Sequence, residues 1–282
     1  MKLSLGFSPC PNDTFIFDAL IHHKIDTEGI EFDVFFDDVE TLNKKVFHNE
    51  PDISKLSFHA FAYAAENYAL LDAGSALGYG VGPLLISKDK GFTRENLSEQ
   101  AGNLTVGIPG KYTTANFLLG LAFPELTNKK IMVFSDIESS LLNNSIDLGL
   151  IIHENRFTYQ DKGLHKIIDL GDFWEKETGF PIPLGGIVIN RRIDPKIQST
   201  VGRLIRKSIE FAFENPTSGI EFIKNHAQEM DEEVMYKHIN LYVNNYSISL
   251  ETKGKEAINF LFKKAAELKI ISPIQHSLFV SG

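Results

Sequence analysis

Short β-like runs alternate with helical patterns through the first two thirds of the chain, and few folds accommodate that alternation. Strands read at "KLSLGF", "IEFDVFF", "PDISKLS", "NLTVGI", "KIMVFS", "IDLGLII" and "GGIVIN". Helical spacing occupies 13–24, 38–48, 58–67, 114–123 and 137–144 between them. The pattern predicts an α/β fold with a largely parallel sheet. Beyond residue 190 the character changes: "PKIQSTVGRLIRKSIEFAFENP", "SGIEFIKNH", "DEEVMYKHINLYVNNY" and "TKGKEAINFLFKKAAELK" are all periodic at helical spacing, so the C-terminal region reads as helix.

With 282 residues, 43% of them hydrophobic, the chain is large for one compact domain. Two stretches, "GSALGYGVGPLLISKD" and "GFPIPLGGIVINRR", are rich in glycine and proline on one side and β-like on the other, as crossings between lobes would be. They predict paired hinge strands near 84–90 and 185–191. The expected plan is bilobal and discontinuous, with 1–88 and 187–282 in one lobe and 89–186 in the other. It matches the type II periplasmic-binding-protein architecture, in which a ligand occupies the cleft between two α/β lobes. No internal repeat is visible.

The net charge of −9, with basic residues scattered among acidic ones, argues against nucleic acid as a partner. The lone Cys10 offers no internal disulfide, and no Cys/His cluster has zinc spacing; "HENRF" lacks the second histidine of a zincin. No structural metal is expected. The apolar run after Met1 and Lys2 stops at Ser8-Pro9, which reads as no signal peptide, and nowhere do eighteen apolar residues follow one another. The expectation is a cytoplasmic protein without a membrane segment, for which no oligomer is predicted.

Four segments carry the candidate chemistry. "SPCPNDTFIFDAL" lies between the first strand and first helix, where Asn12 or Asp13 can cap the helix and the Thr14 hydroxyl is left for a ligand. Capping alone explains it as well, and Cys10 reads as a small buried hydrophobe. "PDISKLSFHAF" repeats the arrangement, with Lys55 as a point charge for an anion and Ser57 as a neutral donor, while His59 reads as packed. "GKYTTANFLL" places Thr113 and Thr114 at another helix start. Two such helix termini, one per lobe, suit a carboxylate. In "SIDLGLIIHENRFTY", His153 follows a buried strand beside Glu154 and Arg156; an imidazole with an ordinary pKa of about 6.5 suits proton transfer at neutral pH. Trp174 reads either as a wall against an aromatic ligand or as packing.

In this order and spacing, "SPCPNDTFIF", "DISKLSFHAF", "GKYTTANFLL" and "LIIHENRFTY" resemble the 1,4-dihydroxy-6-naphthoate synthase family of the futalosine route to menaquinone, over essentially the whole chain. The resemblance implies a cofactor-free carbon–carbon lyase that converts cyclic dehypoxanthine futalosine to 1,4-dihydroxy-6-naphthoate. It implies His153 as the catalytic base, and Lys55, Leu56 and Ser57 with Thr114 and Ala115 as substrate-binding segments; Asn12, Thr14 and Thr113 join the substrate-binding candidates from their placement. The expected partner is a small carboxylate substrate. The rival readings are a non-catalytic solute-binding protein of the same architecture and a chorismate dehydratase of the same pathway.

Overall fold

The computed structural model describes residues 1–227 and 231–280; residues 228–230 and 281–282, assigned above to the first lobe, lie outside them. The chain divides into two compact units, Met1–Gly78 with Pro183–Gly282 and Tyr79–Ile182. The backbone passes between them twice.

In the first unit the chain runs β1 (Lys2–Phe7), α1 (Pro11–Ile21), β2 (Glu31–Phe36), α2 (Val39–Phe47), β3 (Ile53–Ser57), α3 (Phe58–Ala64), β4 (Tyr68–Leu70) and β5 (Ala76–Gly78). The second unit holds β6 (Leu84–Ser87), α4 (Leu97–Gln100), β7 (Val106–Ile108), α5 (Thr114–Ala122), β8 (Lys129–Ile131), α6 (Ile137–Leu142), β9 (Leu148–Ile151), α7 (Asn155–Thr158), β10 (His165–Asp169) and α8 (Leu170–Thr178). The chain returns through β11 (Ile182–Asn190) and ends in α9 (Pro195–Glu214), α10 (Ile220–Lys224), α11 (Glu232–Tyr242), α12 (Asn245–Ile248) and α13 (Glu251–Glu267).

Each unit has its own sheet. The first orders its strands β2-β1-β3-β11-β4, with β5 also on β11; the second orders them β10-β6-β9-β7-β8. Around β1 both neighbours are parallel, and β11 then runs antiparallel to β3 and β4. Around β7 both neighbours are again parallel, and β6 runs antiparallel to β9 and β10. One topology therefore occurs twice without any repeat in the sequence, and both sheets are mixed rather than largely parallel. The paired hinge strands expected near 84–90 and 185–191 are not paired with one another. Leu84–Ser87 is satisfied by β9 and β10, and Ile182–Asn190 by β3, β4 and β5, so each belongs to a different sheet.

The first core is built on β1, whose Leu3, Leu5 and Phe7 are buried, with Phe7 stacked on Phe17 of α1 at 4.3 Å between centroids. Full burial of a ring of this size stabilises by about 1.5–3 kcal/mol. Helix α9 supplies the cover, because Val201, Leu204, Ile205, Ile209 and Ala212 recur on one face at helical spacing. Ser208 lies on the same stripe; its hydroxyl donates to the Ile16 carbonyl at 2.6 Å and accepts from the Leu20 amide at 3.1 Å, which satisfies a buried polar group. Helix α13 reaches α3 through Phe262 against Phe61. In the second unit Leu84, Ile86, Ile137, Leu141, Ile146 and Ile151 form the core.

The strand read from "KIMVFS" ends at Ile131, where the chain leaves the sheet edge and Phe134–Asp136 form a 3-10 turn. Among the described residues no helix is long and apolar enough to cross a membrane.

Candidate functional site

The candidate residues form two sets, one on each unit, and in both units they lie within or after the carboxyl ends of neighbouring parallel strands. Parallel pairing brings such ends to one edge of a sheet, where α/β folds present ligand groups.

On the first unit, α1 starts with Cys10 as its N-cap and makes no side-chain capping bond, so neither Asn12 nor Asp13 caps the helix. Pro11 occupies the first helical position, where a missing N–H costs nothing. This frees the polar side chains of the first turn for other partners. Asp13 accepts from the Ser8 hydroxyl at 2.7 Å and from the Asn12 amide at 2.8 Å, and it pairs with the Lys55 ammonium at 2.9 Å. Lys55 also donates to the Gly74 carbonyl at 2.9 Å and is only 7% exposed. Its charge is thus already partnered, which the sequence reading of a lone anion-binding lysine did not contain. The Thr14 hydroxyl lies within hydrogen-bond distance of the carbonyls of Cys10 and Pro11, to which it donates, and the residue is fully buried.

Ser57 is the last residue of β3 and precedes α3. Its amide donates to Asn43 Oδ1 at 3.0 Å, and its hydroxyl accepts from Asn43 Nδ2 at 3.4 Å. Among the described residues no partner takes the proton of that hydroxyl, which makes Oγ the donor that Ser57 can offer a ligand. Leu56 is buried against this strand end, and β11 runs alongside with Gly185 opposite Ser57. His59 is buried, with its ring edge-on to Tyr63.

On the second unit, Thr113 caps α5: its hydroxyl accepts from the Asn116 amide at 3.2 Å and donates to the Gly110 carbonyl at 2.9 Å. Thr113 is accordingly the N-cap of α5, with its hydroxyl engaged by the backbone of that helix start. Thr114 and Ala115 open the helix and are both buried.

His153 follows β9 by two residues and has φ of 61°, a left-handed conformation uncommon outside glycine but less so for histidine. Its ring packs against Phe134 at 4.8 Å between centroids. Backbone held in this region clusters at functional positions. Of the residues that follow, Glu154 is buried, and the Arg156 guanidinium donates to the carbonyls of Gly80 and Gly82 and pairs with Asp169 at 2.6 Å. Arg156 is thus neutralised by Asp169 rather than standing as an open charge beside the imidazole. Asp169 in turn caps α8 through the amides of Gly171 and Asp172. Gly82 and Gly171 meet backbone to backbone there; a Cβ on Gly82 would lie 2.1 Å from the Gly171 nitrogen. The Gly80 amide donates to Glu175 at 2.6 Å, and burial nevertheless holds the Glu175 carboxyl above its ordinary value. Trp174 is buried with Nε1 donating to the Pro181 carbonyl, which assigns it to packing.

The chain matches the menaquinone biosynthesis family over residues 3–267. It belongs to that family. Its relatives include 1,4-dihydroxy-6-naphthoate synthases of Thermus thermophilus, 36% identical with 99% of each chain covered, and of Streptomyces coelicolor, 38% identical with 94% of this chain and 93% of that one covered. Among solved structures, a protein of Archaeoglobus fulgidus superposes with a TM-score of 0.89 at 34% identity, covering 96% of this chain and 98% of the other. The periplasmic aliphatic sulphonate binding protein of Escherichia coli shares the fold, with a TM-score of 0.66 at 10% identity over 100% of this chain and 94% of that one. This family member thus carries a periplasmic-binding-protein fold.

Sequence reasoning missed Asn43 and His238, both fully buried. Each had a local signal. Asn43 lies on the buried face of α2, and His238 sits in the stripe Met235, His238, Ile239, Tyr242 of α11, where an apolar residue would be the default.

Proposed function

We propose that this chain is a 1,4-dihydroxy-6-naphthoate synthase, a carbon–carbon lyase acting on cyclic dehypoxanthine futalosine. The observation that carries the reading is identity of 36% and 38%, over nearly the full length, to two relatives of that name. In this reading the neutral imidazole of His153 takes the proton that starts fragmentation. Its placement after β9, with the backbone pinned in a left-handed conformation and the ring against Phe134, suits a group that must hold one orientation. Lys55, Leu56 and Ser57, with Thr114 and Ala115, are the substrate-binding segments. Ser57 Oγ contributes a neutral donor, and Lys55 a positive charge whose position is fixed by Asp13 and Gly74. Thr113 shapes the start of α5, and Asn12 and Thr14 act within the fold of the first motif.

We further propose a cytoplasmic location, in keeping with a sequence whose one cysteine, the buried Cys10, can form no internal disulfide. Incubation of the purified protein with cyclic dehypoxanthine futalosine, followed by chromatography, tests the reading. Appearance of 1,4-dihydroxy-6-naphthoate at a rate proportional to enzyme supports it. Binding of the compound without turnover would instead make the chain a receptor and overturn it.

A further inference from the structure

The polar residues of "SPCPND" belong to a buried chain of hydrogen bonds that begins far away in the sequence. His238 of α11 is fully buried, and its Nε2 lies 2.8 Å from Asn12 Oδ1. The Asn12 amide nitrogen lies 2.8 Å from Asp13 Oδ1, and the same oxygen meets Lys55 Nζ at 2.9 Å. Ser8 holds the other carboxylate oxygen at 2.7 Å. None of the five residues is more than 8% exposed.

The direction of this chain follows from donor and acceptor types. A carboxylate paired with lysine only accepts, so Asn12 must turn its NH2 toward Asp13 and its carbonyl toward His238. A carbonyl also only accepts, so His238 Nε2 carries a proton whether the ring is neutral or charged. The His238 Nε2–H therefore anchors the Asn12 carbonyl in the orientation that Asp13 requires, and the anchored Asn12 NH2 helps hold the Asp13 carboxylate. Asp13 then fixes Lys55. An ammonium on a four-carbon stem has no orientation of its own and takes the position its acceptors dictate. Asp13 and Gly74 use two of its three N–H groups, and among the described residues no partner takes the third.

We propose that His238 is a positioning residue for substrate binding, acting through Asn12 and Asp13 to set the Lys55 ammonium. The proposal rests on the reading of Lys55 as a substrate-binding residue. Tyr242, one turn further along α11, packs on the His238 ring at 4.6 Å and helps hold it in register.

The test is steady-state formation of naphthoate by the full chain carrying His238→Leu, His238→Gln, Asn12→Ala or Lys55→Met, each shown folded by circular dichroism. Leucine keeps volume and removes the donor, whereas glutamine presents an amide N–H near the position of Nε2. His238→Leu is expected to raise KM about 10- to 100-fold, the worth of one hydrogen bond to a charged network. Its kcat is expected to change by less than about threefold, and His238→Gln to recover most of the loss in KM. In the Asn12→Ala background His238→Leu should add nothing, since the chain is already cut. Unchanged KM in folded His238→Leu, while Lys55→Met raises it, would overturn the proposal. So would failure of glutamine to rescue, which would mark His238 as packing. Unchanged KM in Lys55→Met would show that the reading of Lys55 had failed first. If His238→Leu is not recovered folded, Asn12→Ala decides: a normal KM overturns the proposal, and a raised KM with kcat retained supports it.

Discussion

Asp13 and Lys55 form an ion pair whose side chains are 3% and 9% exposed, and the surrounding bonds make the two partners unequal. Removing Lys55 leaves the Asp13 carboxylate with Ser8 and Asn12 still donating to it. Removing the charge of Asp13 leaves the Lys55 ammonium with the Gly74 carbonyl and no counter-charge. Breaking a buried pair costs about 3–5 kcal/mol because the survivor is stranded, and these contacts place Lys55→Met near the lower end and Asp13→Asn near the upper. The double variant Asp13→Asn/Lys55→Met strands no charge, so its loss should fall short of the sum of the two single losses by about 2 kcal/mol or more. Urea unfolding followed by circular dichroism at neutral pH, with slopes compared between variants, measures all three. Strict additivity, or a larger loss for Lys55→Met than for Asp13→Asn, would refute the reasoning.

Gly82→Ala should destabilise the second unit by about 1–3 kcal/mol or more, because the new methyl meets the Gly171 backbone and not a flexible side chain; an unchanged urea midpoint would contradict this. Burial works against the charged form of Asp52, yet hydrogen bonds from Arg192 and from the amide and hydroxyl of Ser4 outweigh it and hold the carboxyl below its ordinary value. A pKa lowered on folding stabilises above the unfolded value of about 3.9 and stops doing so as pH falls through the folded value. The stability difference between the wild type and Asp52→Asn should therefore be constant near neutrality and shrink below about pH 4; a difference that grows on acidification would contradict the sign. Ser57→Ala and Thr114→Ala should each raise KM by the equivalent of about 1.5–3 kcal/mol with smaller effects on kcat, and normal KM values in both would remove them from substrate binding.

Local periodicity was enough to read most elements, because each is long enough to display its own repeat: "KLSLGF" coincides with β1, and the pattern at 114–123 with α5. The strands at Tyr68–Leu70 and Ala76–Gly78 are short and buried at every residue, so no apolar–polar alternation marks them. The positions of Ser57 and His153 at strand ends were legible for the same local reason. Their partners were not. Asp13 and Lys55 are joined only by the β1–β3 pairing, and His238 reaches Asn12 only when α11 packs beneath α1. Polar groups at helix starts were read as ligand donors, but for Thr14 and Thr113 the backbone carbonyls and amides nearby are the cheaper partners.

His153 carries the chemical claim, and asparagine is the informative replacement. Asparagine tolerates the left-handed backbone that His153 adopts and keeps hydrogen-bonding capacity, but it cannot accept a proton at neutral pH. The measurement is naphthoate formation by purified, folded His153→Asn protein under saturating substrate. The account predicts a fall in kcat of about 10²–10⁴-fold with substrate affinity largely kept. Turnover within a few-fold of wild type would contradict it and take His153 out of the base role.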